Sequence, residues 1–169
     1  MMGTRGAGRK ERDMIGSVTA EVLDTCRYPV MTIPEEAPVG KDRELHYVTY
    51  FGNLDQKDFL AIDALHRLTG NRNIRLKLVI VPGRKESSIT GKTVENAVAY
   101  LKSTYPDYDI SAHVFSLDNA LSEIETAGNK TDLIVAPNKK RNVFARFFNP
   151  SVPHRLLFHT DIPMMVVPV

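Results

Sequence analysis

Three glycines and a serine near the N-terminus have types and spacing that suit the binding of phosphate groups. They form the pattern Gly3-x2-Gly6-x9-Gly16-Ser17. Glycine lets a backbone approach a phosphate closely, and the Ser17 hydroxyl and the free amides of a following helix can donate hydrogen bonds to an anion. A helix-like apolar pattern begins directly after Ser17, and a strand pattern covers residues 28–34. The sequence therefore predicts an anion site at the start of a helix.

A second glycine motif imitates the end of a nucleotide-binding loop. Gly91-Lys92-Thr93 follows a predicted strand, but Glu86 stands where the pattern G-x4-GK[ST] requires glycine. We interpret Lys92 and Thr93 as the start of a helix with Thr90 as its N-cap.

No group of residues has the spacing of a catalytic or metal-binding set. The five histidines lack spacings such as H-E-x-x-H, and the single cysteine, Cys26, cannot form an intrachain disulfide or a cysteine zinc site. Asp107 and Asp109 are interpreted as turn and strand-end residues rather than as an acid and base pair. We therefore expect no metal site and predict that the protein is not an enzyme.

Hydrophobic periodicity predicts alternating strands and helices between residues 44 and 169. Strands are expected at residues 45–51, 74–81, 108–115, 132–136 and 163–167, and helices at 58–68, 93–101, 119–126 and 151–158. Short connections of this kind favour right-handed crossovers. The predicted fold class is α/β, a five-stranded parallel doubly wound sandwich.

An internal repeat defines the domain organisation. Residues 3–34, moved forward by 134 positions, match residues 137–168 at seven positions without a gap. The segment 1–34 is therefore predicted to be the loop, last helix and last strand of a sister domain. Residues 35–43, with Pro38 and Gly40, form a linker, and residues 44–169 form the complete domain.

The Gly3 to Ser17 motif, with its helix and terminal strand, resembles the nucleotide-binding motif of ATP-binding universal stress proteins. The resemblance covers nearly the whole chain, which is similar to the C-terminal part of a tandem universal stress protein. It implies an adenine nucleotide alpha hydrolase-like sandwich in which Gly3, Gly6, Gly16 and Ser17 hold the phosphates. The ligand it implies is ATP or AMP with Mg²⁺.

The complete domain departs from the family motif. At the equivalent positions stand Pro137, Lys140, Pro150 and Ser151, so Lys140 and Ser151 form a degenerate counterpart in which only Ser151 keeps the family residue. The first strand ends at Tyr50, where the family's ATP binders have aspartate. The corresponding acid of the sister domain would precede this sequence.

Charge and hydropathy restrict the partners. The formal net charge of +2 gives no reason to propose nucleic acid or membrane, and no apolar run has the length of a bilayer span. The basic loop at residues 138–155 interleaves cations with phenylalanines, which leaves open a nucleic-acid role, an anion patch or a solvated surface. The N-terminus has no secretory signal pattern, so a cytoplasmic location is expected.

Three functions stay open at this point. The resemblance favours a non-catalytic stress-response or signalling module, linked to adenine nucleotides in the intact tandem form. The alternatives are an adenine-nucleotide hydrolase-like enzyme and a purely structural dimerisation domain. The resemblance also implies that last strands pair antiparallel, either in a homodimer or with the sister domain, where residues 29–33 would meet 163–167 within one chain.

Overall fold

A computed structural model describes residues 2–3, 22–23, 25, 27–34, 37, 44–70, 72–81, 89–115, 119, 130–138 and 162–169. The strands are β1 (Met2–Gly3), β2 (Val30–Ile33), β3 (Tyr47–Gly52), β4 (Ile74–Ile80), β5 (Tyr108–Val114), β6 (Leu133–Asn138) and β7 (Met164–Pro168). The helices are α1 (Gln56–Thr69) and α2 (Gly91–Thr104).

All seven strands form one sheet in the order β1-β2-β7-β6-β3-β4-β5. Among themselves, the five strands β3 to β7 pair in parallel, as the sequence predicts. Inner strands of such a sheet have cover on both faces, and β6 is accordingly buried along its whole length. The predicted α/β fold is confirmed. The helices predicted at 119–126 and 151–158 lie outside the described residues, except for residue 119.

Helices α1 and α2 cover the same face of the sheet. From α1, the side chains of Ala61, Ile62 and Leu65 are buried in the core, and α2 contributes Leu101. Complete burial of a leucine or isoleucine contributes about 1.5–3 kcal/mol, so these side chains fix both helices to the strands. The Thr90 side chain accepts a hydrogen bond from the Thr93 amide at the start of α2, which confirms the predicted N-cap.

Strand β2 joins the N-terminal segment to the complete sheet. It pairs antiparallel with β7, so that Val30 lies opposite Val166, Met31 opposite Met165 and Thr32 opposite Met164. Because Met31 and Met165 are also equivalent in the sequence repeat, this register is symmetric about their pair. The predicted pairing of residues 29–33 with 163–167 is therefore confirmed, within one chain.

Strand β1 repeats the position of β6. Met2 pairs with Thr32 and Gly3 with Ile33, and 134 positions later Ala136 pairs with Val166 and Pro137 with Val167. The same offset relates the two sequence segments, so the repeat holds in the register of the sheet as well.

Part of the predicted N-terminal helix is described. Residues 22, 23 and 25 are helical, and the Leu23 side chain is 2% exposed. The Asn138 side-chain amide at the end of β6 donates a 2.7 Å hydrogen bond to the Leu23 carbonyl. This contact fixes the N-terminal segment to the complete domain. Among the helices of the described ranges, none combines the length and apolarity needed to cross a membrane.

Candidate functional site at the two edges of the sheet

Only one of the predicted site residues lies in the described ranges. Gly3 is the last residue of β1, at the far edge of the sheet. Gly6, Gly16 and Ser17 of the same motif, and Lys140 and Ser151 of its degenerate counterpart, lie outside the described residues. The structure therefore places the start of the motif and leaves its phosphate-binding arrangement as a prediction.

Gly3 and Tyr50 lie on strands that are far apart in the sheet and near opposite ends of those strands. Strand β1 runs parallel to β2, which runs antiparallel to β7, so the carboxyl end of β1 lies level with the amino ends of β3 to β7. Three strands separate β1 from β3, which corresponds to about 19 Å at a strand spacing of about 4.8 Å. The two residues therefore cannot belong to one small-molecule site.

The carboxyl end of β3 is filled by the Tyr50 side chain. Its ring is 2% exposed, and its hydroxyl donates a 2.8 Å hydrogen bond to Oδ1 of Asp58, which is completely buried in the first turn of α1. Where the resemblance expects an aspartate at the strand end, the structure has a tyrosine bound to an aspartate of its own domain.

Asp58 also fixes the loop between β3 and α1. Its Oδ2 accepts hydrogen bonds from the amides of Asn53 at 2.9 Å and Asp55 at 3.0 Å. Asp55 in turn caps the helix, because its Oδ1 accepts from the amides of Lys57 and Asp58. This reciprocal capping box satisfies amides that a helix start leaves without partners. The loop also holds Leu54 at a positive φ of 62°, a conformation that is uncommon for leucine.

Gly52 makes room for the contact between Tyr50 and Asp58. A Cβ atom at this position would lie 2.6 Å from the Tyr50 ring and 2.7 Å from Oδ1 of Asp58. Both distances are shorter than any normal van der Waals contact, so every other residue would displace the ring or the carboxylate. Tyr50, Gly52, Asp55 and Asp58 are named the β3-end cluster below.

The β3-end cluster is built to hold a neutral tyrosine. Burial, and next the negative charge of Asp58, raise the pKa of the Tyr50 hydroxyl well above its usual value. The hydroxyl consequently stays protonated and donates to a carboxylate whose two oxygens already have partners. The Tyr50 hydroxyl does not release its proton near neutral pH. The cluster therefore supports structure rather than acid and base chemistry.

Sequence reasoning missed the role of Asp58. The signal was present, since an acidic N-cap followed three residues later by a second acid, immediately before an apolar helical pattern, is typical of a capping box. The hydrogen bond from Tyr50 could not be found in this way, because it depends on how the strand end faces the helix.

A second polar cluster lies where α1 ends and β5 begins. The Nε2 atom of His66 lies 3.3 Å from each oxygen of Asp107, and its ring packs against those of Tyr105 and Tyr108. The Tyr108 hydroxyl is 2.6 Å from the Thr69 hydroxyl. Asp107, interpreted from sequence as a turn residue, thus joins the end of α1 to the start of β5.

The tyrosines of this second cluster are held in their neutral form. Burial, followed by the charge of Asp63, raises the pKa of Tyr105 to about 12, and burial also raises the pKa of Tyr108. Within the described ranges, no group of three or more histidine, cysteine, aspartate or glutamate side chains could hold a metal ion. The cluster connects elements, and its groups already have partners.

This α/β fold is similar to that of a protein whose structure has been solved. A universal stress protein from Archaeoglobus fulgidus DSM 4304 has a similar structure, with a TM-score of 0.61 and 15% sequence identity. The alignment covers 98% of this chain and 59% of that one, so this chain spans little more than half of its structural neighbour. No protein-family model and no curated protein sequence matches this chain. At this identity the likeness concerns the fold.

Proposed function

We propose that this protein is a non-catalytic stress-response or signalling module of the universal stress type, derived from a tandem protein. The observation that carries the proposal is the β3-end cluster. In the complete domain, Tyr50 fills the position where the family's ATP binders have an aspartate, and its hydroxyl is committed to Asp58. A nucleoside would have to displace a buried ring and break a buried hydrogen bond, so the complete domain acts without a nucleotide at this position.

The tandem origin is supported by two features of the sheet. The pairing of β1 with β2 repeats that of β6 with β7 at the same offset as the sequence repeat. The likeness to the Archaeoglobus fulgidus protein uses almost all of this chain and 59% of that longer one. Residues 1–34 are accordingly proposed to end a first domain, and residues 44–169 to form the second.

Adenine-nucleotide binding is proposed for the sister-domain half alone. Gly3 ends β1 as a phosphate-binding glycine should, at the carboxyl end of a parallel strand. Gly6, Gly16 and Ser17 would complete the loop and the helix start, and ATP or AMP with Mg²⁺ would be the ligand. Signalling would then consist of a nucleotide-dependent change in how this half associates with its neighbour.

The partner is proposed to be a universal stress domain. The register between β2 and β7 is self-complementary, so β7 accepts either the sister-domain strand, as here, or the β7 strand of a second copy. We propose no nucleic-acid or membrane partner, and a cytoplasmic location.

Native mass spectrometry of the purified protein tests the nucleotide part of this proposal. We expect a co-purified adenine nucleotide, and a rise in Tm with millimolar ATP and Mg²⁺, both of which Gly16→Leu abolishes. Gly91→Leu is the matched control, because the space around Gly91 is open at an exposed helix start. Binding that survives in Gly16→Leu would locate a nucleotide in the complete domain and contradict the role given to Tyr50.

The same purified proteins distinguish the nucleotide-linked module from an interaction module and from a hydrolase. Absence of nucleotide and of any Tm shift removes the nucleotide link and leaves an interaction module. Steady release of phosphate or AMP from ATP, lost in Gly16→Leu but retained in Gly91→Leu, would replace the proposal with an adenine-nucleotide hydrolase.

A further inference from the structure

The face of the sheet opposite α1 and α2 is polar near the amino ends of three adjacent strands. Ile74, Leu76 and Leu78 of β4 lie in the core under the helices, so the alternating Arg75 and Lys77 project from the other face. The strand registers place two rows side by side on that face: Tyr47, Arg75, Asp109 and Thr49, Lys77, Ser111. An inner strand of a parallel sheet normally carries apolar residues on both faces. Two cations on β4 are therefore an exception that calls for a function.

These rows line a concavity of about 480 Å³. Lys130 and Thr131, from the segment that precedes β6, also line it. Among the described residues that line it, Arg75, Lys77 and Lys130 are cations and Asp109 is a carboxylate. This concavity is named the sheet-face pocket below.

Two hydroxyl groups at the base of the sheet-face pocket are held in place. The Oγ1 atoms of Thr49 and Thr131 lie 2.9 Å apart, and both residues are buried. A hydroxyl has one hydrogen to donate, so their mutual bond uses one of the two hydrogens. The second hydrogen is available to an acceptor in the pocket. A fixed, buried O–H beside cations suits an oxyanion.

The guanidinium of Arg75 is oriented before any ligand arrives. One of its nitrogens donates to the Tyr47 hydroxyl, and its central carbon lies 5.2 Å from the centre of the Tyr47 ring. The Tyr47 backbone is held in turn, because its amide donates a 2.9 Å hydrogen bond to Asp132. A guanidinium has five N–H groups in a planar fork, and this geometry matches phosphate oxygens.

We propose that the sheet-face pocket binds the phosphate group of a small phosphorylated molecule. The guanidinium fork of Arg75 and the fixed hydroxyl supply directed hydrogen bonds to phosphate oxygens, and the charge of Lys130 adds attraction for the anion. The pocket lies at the amino ends of β3 and β4, whereas Tyr50 lies towards the carboxyl end of β3. It is also separate from Gly3, since β1 lies at the far edge of the sheet.

Titration of the ¹⁵N-labelled full chain at constant ionic strength tests the proposal. The probes are inorganic phosphate, glycerol phosphate as a phosphomonoester, and acetate as a monoanionic control. We expect saturable shifts of the Lys77, Ser111 and Thr131 amide signals with both phosphates, and only weak shifts with acetate. Tighter binding of glycerol phosphate than of inorganic phosphate would identify an esterified ligand; the reverse would identify free phosphate.

Substitution of the cations that line the sheet-face pocket tests whether the phosphate binds there. Arg75→Gln and Lys77→Gln should each weaken phosphate binding by about 10-fold, the usual effect of losing one charge-assisted hydrogen bond. Lys102→Gln, on the exposed surface of α2, is the matched control and should change nothing. If Arg75→Gln lowers the Tm, Lys130→Gln in the exposed turn provides the same test without disturbing a strand.

Three results would overturn the proposal. Shifts that grow linearly without saturation would indicate general screening, and equal responses to acetate and phosphate would indicate unspecific attraction. Unchanged affinity in Lys77→Gln and Lys130→Gln would place the anion elsewhere. Gly16→Leu should leave this affinity unaltered, so the sheet-face pocket and the proposed nucleotide loop can fail independently.

Discussion

The strand pairs β6–β7 and β1–β2 share one register but differ in burial. Among the described residues, five pairs join β6 to β7 and two join β1 to β2. Strand β7 is buried at four successive positions, whereas β2 alternates between buried and half-buried. The last strand of the complete domain is therefore more deeply buried than its counterpart β2 in the N-terminal segment.

The two pairs also differ at the residue proposed to begin the phosphate-binding loop. Pro137 stands in β6 where Gly3 stands in β1. Proline has no amide hydrogen and a fixed φ, so Pro137 can neither donate to a phosphate nor adopt the conformations open to glycine. This difference agrees with the proposal that a nucleotide binds to the N-terminal segment and not to the complete domain.

Asp58→Ala should have the largest effect on stability, because it breaks the buried contacts that hold the β3-end cluster together. The change leaves the Tyr50 hydroxyl and the amides of Asn53 and Asp55 without their acceptor. A buried donor without a partner costs about 1–3 kcal/mol, so we expect a loss of about 3–5 kcal/mol. Urea unfolding measures it. Glu95→Ala, at an exposed position of α2, is the control, and a similar loss there would refute the role of the cluster.

Met165→Ala and Met31→Ala compare the two halves directly, since these residues are repeat equivalents that face each other. Met165 is 1% exposed, and its truncation should cost about 3 kcal/mol, within the usual range for buried methionine. Met31 is half-buried, so we expect about 1 kcal/mol. Thermal unfolding of both variants provides the measurement. Equal losses would mean that the N-terminal half is as tightly packed as the complete domain.

Tyr50→Phe should lower stability by about 1–2 kcal/mol at pH 8, since the carboxylate of Asp58 loses one donor. The pH dependence identifies the cause. Because the pKa of Tyr50 is raised in the folded protein, its contribution is complete below about pH 10 and declines at higher pH, where the unfolded chain releases the proton first.

Denaturant unfolding between pH 8 and pH 12 checks this sign. The wild-type protein should lose stability above pH 10 more steeply than Tyr50→Phe, with Tyr105 and Tyr108 contributing the remainder in both. Tyr28→Phe, at a residue that is 77% exposed, should match the wild type at pH 8. A parallel decline in wild type and Tyr50→Phe would mean that the Tyr50 pKa is unaltered by folding.

Asn138→Ala should have the smallest effect, because it removes the single hydrogen bond to the Leu23 carbonyl. We expect a loss of about 1 kcal/mol in overall stability. The sharper measurement is proteolysis, in which the N-terminal segment should be cleaved several-fold faster while the complete domain stays intact. Asn73→Ala, in the exposed turn before β4, is the control. Uniform protection in both variants would show that Asn138 does not fix this segment.

The strands and the two described helices could be predicted because their periodicities are local. Predicted and observed bounds of β3 to β7 differ by at most two residues, since strongly apolar runs such as residues 133–136 permit no other interpretation. The pairing of β2 with β7 was predictable through the repeat. Of the β3-end cluster, only the capping box could be predicted from the sequence, because its pattern is local. The approach of Tyr50 to Asp58 across Gly52 depends on the packed fold. The sheet-face pocket was invisible for the same reason, as strand order alone brings Arg75 and Asp109 together.

The bond from the Thr32 hydroxyl to the Met164 carbonyl joins residues 132 positions apart. Closing so long a loop is entropically costly and slow, whereas β3, α1 and β4 are neighbours in sequence. The complete domain should therefore assemble first, and β2 should add to a finished sheet. Until it does, the edge of β7 is open to any extended strand, including one from another chain. During this interval, β7 of a newly made polypeptide can pair either with its own β2 or with a strand of another chain.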